Sequence, residues 1–195
     1  MKKPIIALIL AAAILFAVSA GISDIGIANA REAHLELMQT LLPGSETFEV
    51  EPYAGEDANI RSVHKSDLGF VIETVTYGYA GDINMLIGVN NAGRVTGLVV
   101  REAHETFGLG GNALTDHEFL AQFLNKAGSF EMATAGTDAF SGATAEVEVN
   151  QGEAVSVDAI TGATVTSKAV VRCVNSAVAY VTGADATTEA TSWGG

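Results

Sequence analysis

The spacing of hydrophobic residues changes character along the chain. From Pro4 to Ile22, "PIIALILAAAILFAVSAGI", no position carries a charge. That run is close to the roughly 20 apolar residues a helix needs to cross a bilayer, so it predicts one N-terminal transmembrane helix. Lys2 and Lys3 before it predict a cytoplasmic N-terminus, with everything after Asp24 outside. A cleaved signal peptide is the competing reading, because Ala28 to Ala30 forms a small-x-small site. The apolar run exceeds the roughly 7–15 residues of a signal-peptide core, which favours a retained anchor. Either way the domain lies outside the cytoplasm.

Beyond the anchor the pattern alternates between two periods. "REAHLELMQTLL" (31–42) has helical spacing up to Pro43-Gly44 and predicts a stalk helix. Residues 45–58 are polar, without a clear period, and read as a linker. Three strand-like runs follow, at 70–79, 83–90 and 94–103, and Asn91-Ala92-Gly93 predicts a hairpin between the last two. "DHEFLAQFLNKA" (116–127) predicts an amphipathic helix capped by Thr115. Short strands are predicted at 145–150 and 154–159. A helix is predicted over 167–181, with Val170, Val171, Val174, Val178 and Val181 as its buried stripe. After Gly183 the tail is small and polar, and disorder is expected. The order predicts an α+β fold, a twisted antiparallel sheet with packed helices. The domain layout is an anchor over 1–30, stalk and linker over 31–58, the folded domain over 59–182 and a tail over 183–195.

Charge and rare residues remove several functions. Ten Lys and Arg against 23 Asp and Glu leave a net charge of −13, with no basic patch, so nucleic acid is excluded as a partner. A single cysteine, Cys173, excludes an internal disulfide and a cysteine-rich metal site; its place in the valine pattern predicts a core residue. His34, His64, His104 and His117 stand at no metal-ligand spacing, so no metal site is expected. His104-Glu105 could form an acid–base pair, but its place before a glycine-rich loop favours packing or hydrogen bonding. No catalytic constellation is evident.

The chemistry concentrates in "VDAITGATVTSKAVV" (157–171). Thr161, Thr164, Thr166 and Ser167 crowd into seven residues, although a helix start needs one capping hydroxyl. One reading is a β-turn and N-cap, with Gly162 supplying an unusual backbone angle. The other is an anion seat, because a helix N-terminus beside a glycine turn presents free amides and a positive dipole end. Neither a Walker lysine nor a dinucleotide glycine pattern accompanies it. A near-repeat, "DAFSGAT" (138–144), continues instead into the alternating "AEVEV".

"DAITGATVTSKAVV" resembles the covalent flavin-attachment motif of FMN-binding domains, Asp-x-x-Ser/Thr-Gly-Ala-Thr before a hydroxyl-rich helix start. "GYAGDINMLIGVNNAGRVTGLVV" is similar to that family's strand pair. "HETFGLG" (104–110) resembles its His-Glu-Thr-Pro-Gly-Leu-Gly loop, with Phe107 in place of proline. Such domains occur in the G subunit of the Rnf-type ion-translocating electron transport complex and in the C subunit of the sodium-pumping NADH:quinone reductase. The resemblance implies covalent FMN, esterified through its phosphate to Thr164 by a flavin transferase that draws on FAD. It also implies cofactor contacts from Asp158, Thr161, Gly162, Ala163, Thr166 and Ser167, and from Glu105, Thr106, Gly108, Leu109 and Gly110. Thr144 in the near-repeat is expected to be a decoy, since no hydroxyl-rich helix follows it.

The implied function is that of a membrane-anchored electron-transfer flavoprotein subunit, an electron carrier rather than an enzyme on its own. Its partners would be the other membrane subunits of a complex coupling ferredoxin and NAD oxidoreduction to Na⁺ or H⁺ transport. The FMN domain would sit on the extracytoplasmic side of the cell membrane. The quinone-reductase C subunit is the alternative within the class, although it normally carries a longer domain. A stand-alone extracytoplasmic module that binds a phosphorylated ligand is the alternative outside it.

Overall fold

The computed structural model describes residues 29–106, 108, 110–133 and 154–184. It divides into two units, residues 1–38 and 39–195. In the first, the described residues 29–38 are helical, and this helix, α1, runs on to residue 41 in the second. Among the described residues no helix is long and apolar enough to cross a membrane. The span expected over 4–22 lies outside them, as do the strand expected at 145–150, Thr144 and the tail beyond 184.

The second unit is an α+β domain. Five strands form one antiparallel sheet in sequence order: β1 (Glu49–Glu51), β2 (Ile60–Ser66), β3 (Gly69–Tyr77), β4 (Asp82–Asn90) and β5 (Val95–Ala103). β3 and β4 are central strands, with apolar residues buried on both faces of the sheet. Ile72 on one strand and Ile83, Met85, Ile87 and Val89 on the other face the core, fully buried. The predicted hairpin is present. Asn90 Oδ1 accepts from the amides of Ala92 and Arg94, and Asn90 N–H is returned to the Arg94 carbonyl. Gly88 pairs with Gly97 across β4 and β5, and the end of α1 lies directly on that pair. A Cβ on Gly88 would sit 2.1 Å from the Leu41 carbonyl oxygen, which Thr96 Oγ1 holds at 2.6 Å.

The opposite edge of the core is helical. The helix expected over 116–127 is shortened to α3 (His117–Ala121), and a further short helix, α2 (Gly110–Thr115), precedes it. The cap is Asp116 rather than Thr115. Asp116 Oδ1 accepts from the amides of Glu118 and Phe119, whereas Thr115 Oγ1 turns back to the Gly111 and Asn112 carbonyls and closes α2. α3 stops early because Asn125 turns left-handed, with φ 61°, so that its amide reaches the Val95 carbonyl. β6 (Phe130–Met132) and β7 (Val155–Val157) then form a small parallel pair, a departure from the all-antiparallel expectation.

α4 (Thr164–Thr182) closes the domain against β3 and β4, starting three residues before the expected 167. Its buried stripe contains the predicted Val170, Val171, Val174 and Val178, each contributing about 1.5–3 kcal/mol on burial. Val181 is half-buried. Cys173 is in the core as expected, where burial pushes its thiol up. Asn175 is one of several buried polar residues on this helix. Its Oδ1 accepts from the Phe130 amide at 2.8 Å and its Nδ2 donates to the Phe130 carbonyl at 2.9 Å, so it fastens β6 to the helix. Gly183, with φ 69°, ends the helix in a left-handed cap.

Candidate functional site

The β7–α4 connection carries the hydroxyl cluster. Asp158 is fixed at its backbone, donating to Gln122 Oε1 at 2.8 Å and accepting from Gln122 Nε2 at 3.3 Å. A turn follows, in which the Ala163 amide reaches the Ile160 carbonyl and Gly162 takes φ 80°, an angle that favours glycine. Ala163 stands at the N-cap of α4, and no side chain caps the helix there. The amides of Thr164, Val165 and Thr166 therefore have no intrahelical acceptor and point out of the helix end.

The four hydroxyls divide into different environments. Thr161 and Thr164 are exposed. Ser167 is buried and its Oγ accepts from the Ile160 amide at 3.2 Å, closing the turn from within. Thr166 is 1% exposed, and its Oγ1 has no hydrogen-bond partner. The reading of this cluster as a hydroxyl N-cap is corrected here: the residue at the cap position is an alanine. A buried hydroxyl left unpaired costs about 1–3 kcal/mol, so Thr166 is a feature that packing alone does not explain.

The glycine-rich loop meets this helix end at one point. Gly110, buried at the start of α2, lies between Glu105 Oε2 and Thr166 Oγ1, and a Cβ there would sit 2.5 Å from each. Glu105 Oε1 accepts from the Tyr79 amide at 2.6 Å, whereas Oε2 has no partner. Two buried oxygens without partners thus flank Gly110, one from the loop and one from the helix.

Beside them is a cavity of about 320 Å³ lined by Tyr79, Gly110, Gly162, Ala163, Thr164, Val165 and Thr166. That volume is at the lower end of the roughly 300–1,000 Å³ typical of ligand clefts. A larger groove, about 660 Å³, runs between β5 and α2–α3, and Glu105 also borders it. Thr164 does not line the larger groove. The smaller cavity has the exposed hydroxyl, the free helix amides and the unpartnered Thr166 oxygen, so the candidate site is placed there.

Of the expected site residues, the structure brings Gly110, Gly162, Ala163, Thr164 and Thr166 to one cavity, with Glu105 against Gly110. Asp158, Thr161, Thr106 and Gly108 do not line it, and Ser167 is buried behind the turn. Leu109, like Phe107, lies outside the described residues. His104 Nε2 is 3.6 Å from Glu102 Oε1, both on the surface, while Glu105 is committed to Tyr79, so no His104–Glu105 pair forms. No cluster of potential metal ligands occurs among the described residues. Tyr79 and Val165 are the lining residues that sequence reasoning did not single out. Tyr79 arrives from the β3–β4 turn, which nothing in the local pattern connects to α4.

The model of the FMN-binding domain family matches residues 78–179, a span from the β3–β4 turn into the last helix. The G subunit of the ion-translocating oxidoreductase complex of Methanosarcina acetivorans is 33% identical over 162 residues, 77% of this chain and 76% of that protein. The G subunit of the proton-translocating ferredoxin:NAD(+) oxidoreductase complex of Clostridium ljungdahlii is 34% identical over 115 residues, 59% of this chain. The G subunit of the Na(+)-translocating ferredoxin:NAD(+) oxidoreductase complex of Acetobacterium woodii is 34% identical over 112 residues, 57% of this chain. The chain spans about half the length of the latter two, 54% and 48%. The crystal structure of Shewanella oneidensis NqrC is similar at 21% identity and a TM-score of 0.44, over 70% of this chain and 64% of that one.

Proposed function

Since this chain belongs to the FMN-binding domain family, we propose that it is an electron-transfer flavoprotein subunit carrying FMN as a phosphoester on Thr164. The observation that carries this reading is one cavity holding an exposed Thr164 hydroxyl, an uncapped helix end and the unpartnered Thr166 Oγ1. A phosphate on Thr164 meets all three requirements. The free amides of α4 and its dipole favour an anion there, and Thr166 Oγ1 gains an acceptor. Gly110 keeps the approach open, because any side chain at that position would meet both Glu105 and Thr166.

Attachment is a group transfer catalysed by a separate flavin transferase. Thr164 Oγ1 bonds to the FMN phosphorus of FAD, the pyrophosphate bond breaks, AMP leaves and the hydroxyl proton is released. FMN supplies the one- and two-electron chemistry when bound; the chain holds and orients it.

The relatives from ion-translocating complexes support a place in an Rnf-type complex that couples ferredoxin and NAD oxidoreduction to Na⁺ or H⁺ transport. In this reading the uncharged run at 4–22 anchors the chain and the flavin domain faces the extracytoplasmic side. A covalent tether keeps the cofactor at high effective concentration before its redox partners.

The test is co-expression with a flavin transferase, followed by in-gel flavin fluorescence of the denatured chain. Wild type should fluoresce, Thr164→Ala should not, and Thr144→Ala should match wild type. Fluorescence that persists in Thr164→Ala and disappears in Thr144→Ala moves the ester to the near-repeat. Fluorescence that survives even in the Thr144→Ala/Thr164→Ala double variant removes the threonine ester altogether, whereas loss only in the double variant places flavin on both residues.

A further inference from the structure

We infer that Tyr79 is the aromatic platform of the site, its ring in contact with the isoalloxazine of the FMN held on Thr164. This rests on the Thr164 reading and adds a residue that neither the motif nor the glycine-rich loop contains. Tyr79 lines the same cavity as Thr164. Its side chain is nevertheless 67% exposed, among the most exposed large hydrophobic residues described.

The backbone beneath that ring is fixed. Tyr79 N–H donates to Glu105 Oε1 at 2.6 Å, and Gly78 N–H donates to the Gly81 carbonyl at 2.8 Å. Arg172 of α4 donates from Nη2 to the Tyr77 carbonyl at 2.9 Å. Gly81 lies so close to His104 that a Cβ would sit 2.7 Å from the His104 Cβ. The turn is therefore tied to the glycine-rich loop and to the attachment helix together. A tyrosine has only two side-chain torsions to order, so a ring held this way gives contact area at small entropic cost. Aromatic rings favour offset-stacked or edge-to-face contacts, and isoalloxazine is the large flat ring that the attached cofactor would bring to this cavity.

Such a contact has an optical signature that does not depend on turnover. An excited flavin takes an electron from a phenol in contact with it and returns it without emission, so the native fluorescence is quenched. Phenylalanine keeps the shape but is too hard to oxidise, and tryptophan is easier to oxidise than tyrosine. Tyr77, also exposed and two residues away, does not line the cavity and serves as the control.

The experiment uses the full chain co-expressed with a flavin transferase, comparing wild type, Tyr79→Phe, Tyr79→Trp and Tyr77→Phe. In-gel fluorescence after denaturation reports attachment, and the native fluorescence lifetime reports the contact. Attachment should be equal in wild type and Tyr77→Phe, and the lifetime is read on the flavin-bearing chains of each protein. The native lifetime should lengthen several-fold in Tyr79→Phe, stay short in Tyr79→Trp, and match wild type in Tyr77→Phe. An unchanged lifetime in Tyr79→Phe, or an equal lengthening in Tyr77→Phe, overturns the Tyr79 assignment and leaves the ester intact. No flavin on denatured wild-type chain overturns the Thr164 reading, and this inference with it.

Discussion

Replacing Thr166 with valine should stabilise the flavin-free protein, the reverse of what a core mutation usually does. The Thr166 side chain is 1% exposed and its hydroxyl has no partner. Valine has nearly the same shape, and the two residues have similar helix propensities, so the exchange isolates the hydroxyl. Removing a buried unsatisfied hydroxyl should gain about 1–3 kcal/mol. For a protein of this size each kcal/mol moves the thermal midpoint by roughly 2–4 °C, so the midpoint should rise by roughly 2–12 °C. The assay is thermal unfolding by circular dichroism of the full chain in detergent, made without a flavin transferase. Thr166→Ser keeps the hydroxyl and loses the methyl, and its midpoint should fall. In the flavin-loaded protein the gain from valine should shrink or reverse, because the hydroxyl then has an acceptor. A lower midpoint for flavin-free Thr166→Val would mean the hydroxyl already has a partner, and the claim that it is held for a ligand would fail.

Two further outcomes follow from polar groups away from the cavity. Asn175→Ala leaves the Phe130 amide and carbonyl unpaired in the core, at about 1–3 kcal/mol for each group, so the thermal midpoint should drop by roughly 4–24 °C; a drop under a few degrees would mean water or backbone replaces the amide. On the sheet, desolvation pushes Glu73 up, but hydrogen bonds from Asn84 and Ser62 and the Arg101 charge outweigh it and hold the carboxyl below its ordinary 4.5. A depressed folded pKa gives stability that is present above the unfolded value and lost as pH falls through the folded one. Glu73→Gln should therefore lower the urea midpoint at pH 7 and flatten its decline below about pH 4.5, and an unchanged acid slope would refute the assignment.

The fold was legible where burial imposed a pattern. β3 and β4 were legible as apolar runs of strand length, buried on both faces around Val71, Leu86 and Gly88, and the Asn91-Gly93 hairpin identified the partner of β4. α4 was legible from its valines, but its first turn was not, since Thr164 is exposed and Val165 half-buried. β1 and β6 are three residues each, too short to show alternation, and both are held by partners far along the chain. Tyr180 near the end of α4 donates to Glu51 at 2.8 Å, and Asn175 pairs with Phe130. The break between α2 and α3 turned on a choice between Thr115 and Asp116. Both are capping residue types, and the Asp116 carboxylate won by reaching two amides where Thr115 could turn back on its own helix.

The site was legible as an excess of hydroxyls but not as their division of labour, because that depends on which residue falls at the helix start. With Ala163 at the cap position, Ser167 closes the turn, Thr166 is buried without a partner and Thr164 is left facing outward. Three features of this arrangement are unfavourable for the chain by itself. A missing N-cap hydroxyl forfeits about 1 kcal/mol and an orphaned buried hydroxyl costs about 1–3 kcal/mol. An exposed tyrosine on a fixed turn adds solvated aromatic surface without packing. Orphaned buried hydroxyls also occur at Ser45 and Thr74, but only at Thr166 does one share a cavity with an uncapped helix end and an exposed tyrosine among the described residues. A sequence optimised for the free chain would place serine or aspartate at 163 and valine at 166. A ligand with an anionic end for the helix and a flat end for the tyrosine removes all three costs together, and phosphate-linked flavin has both.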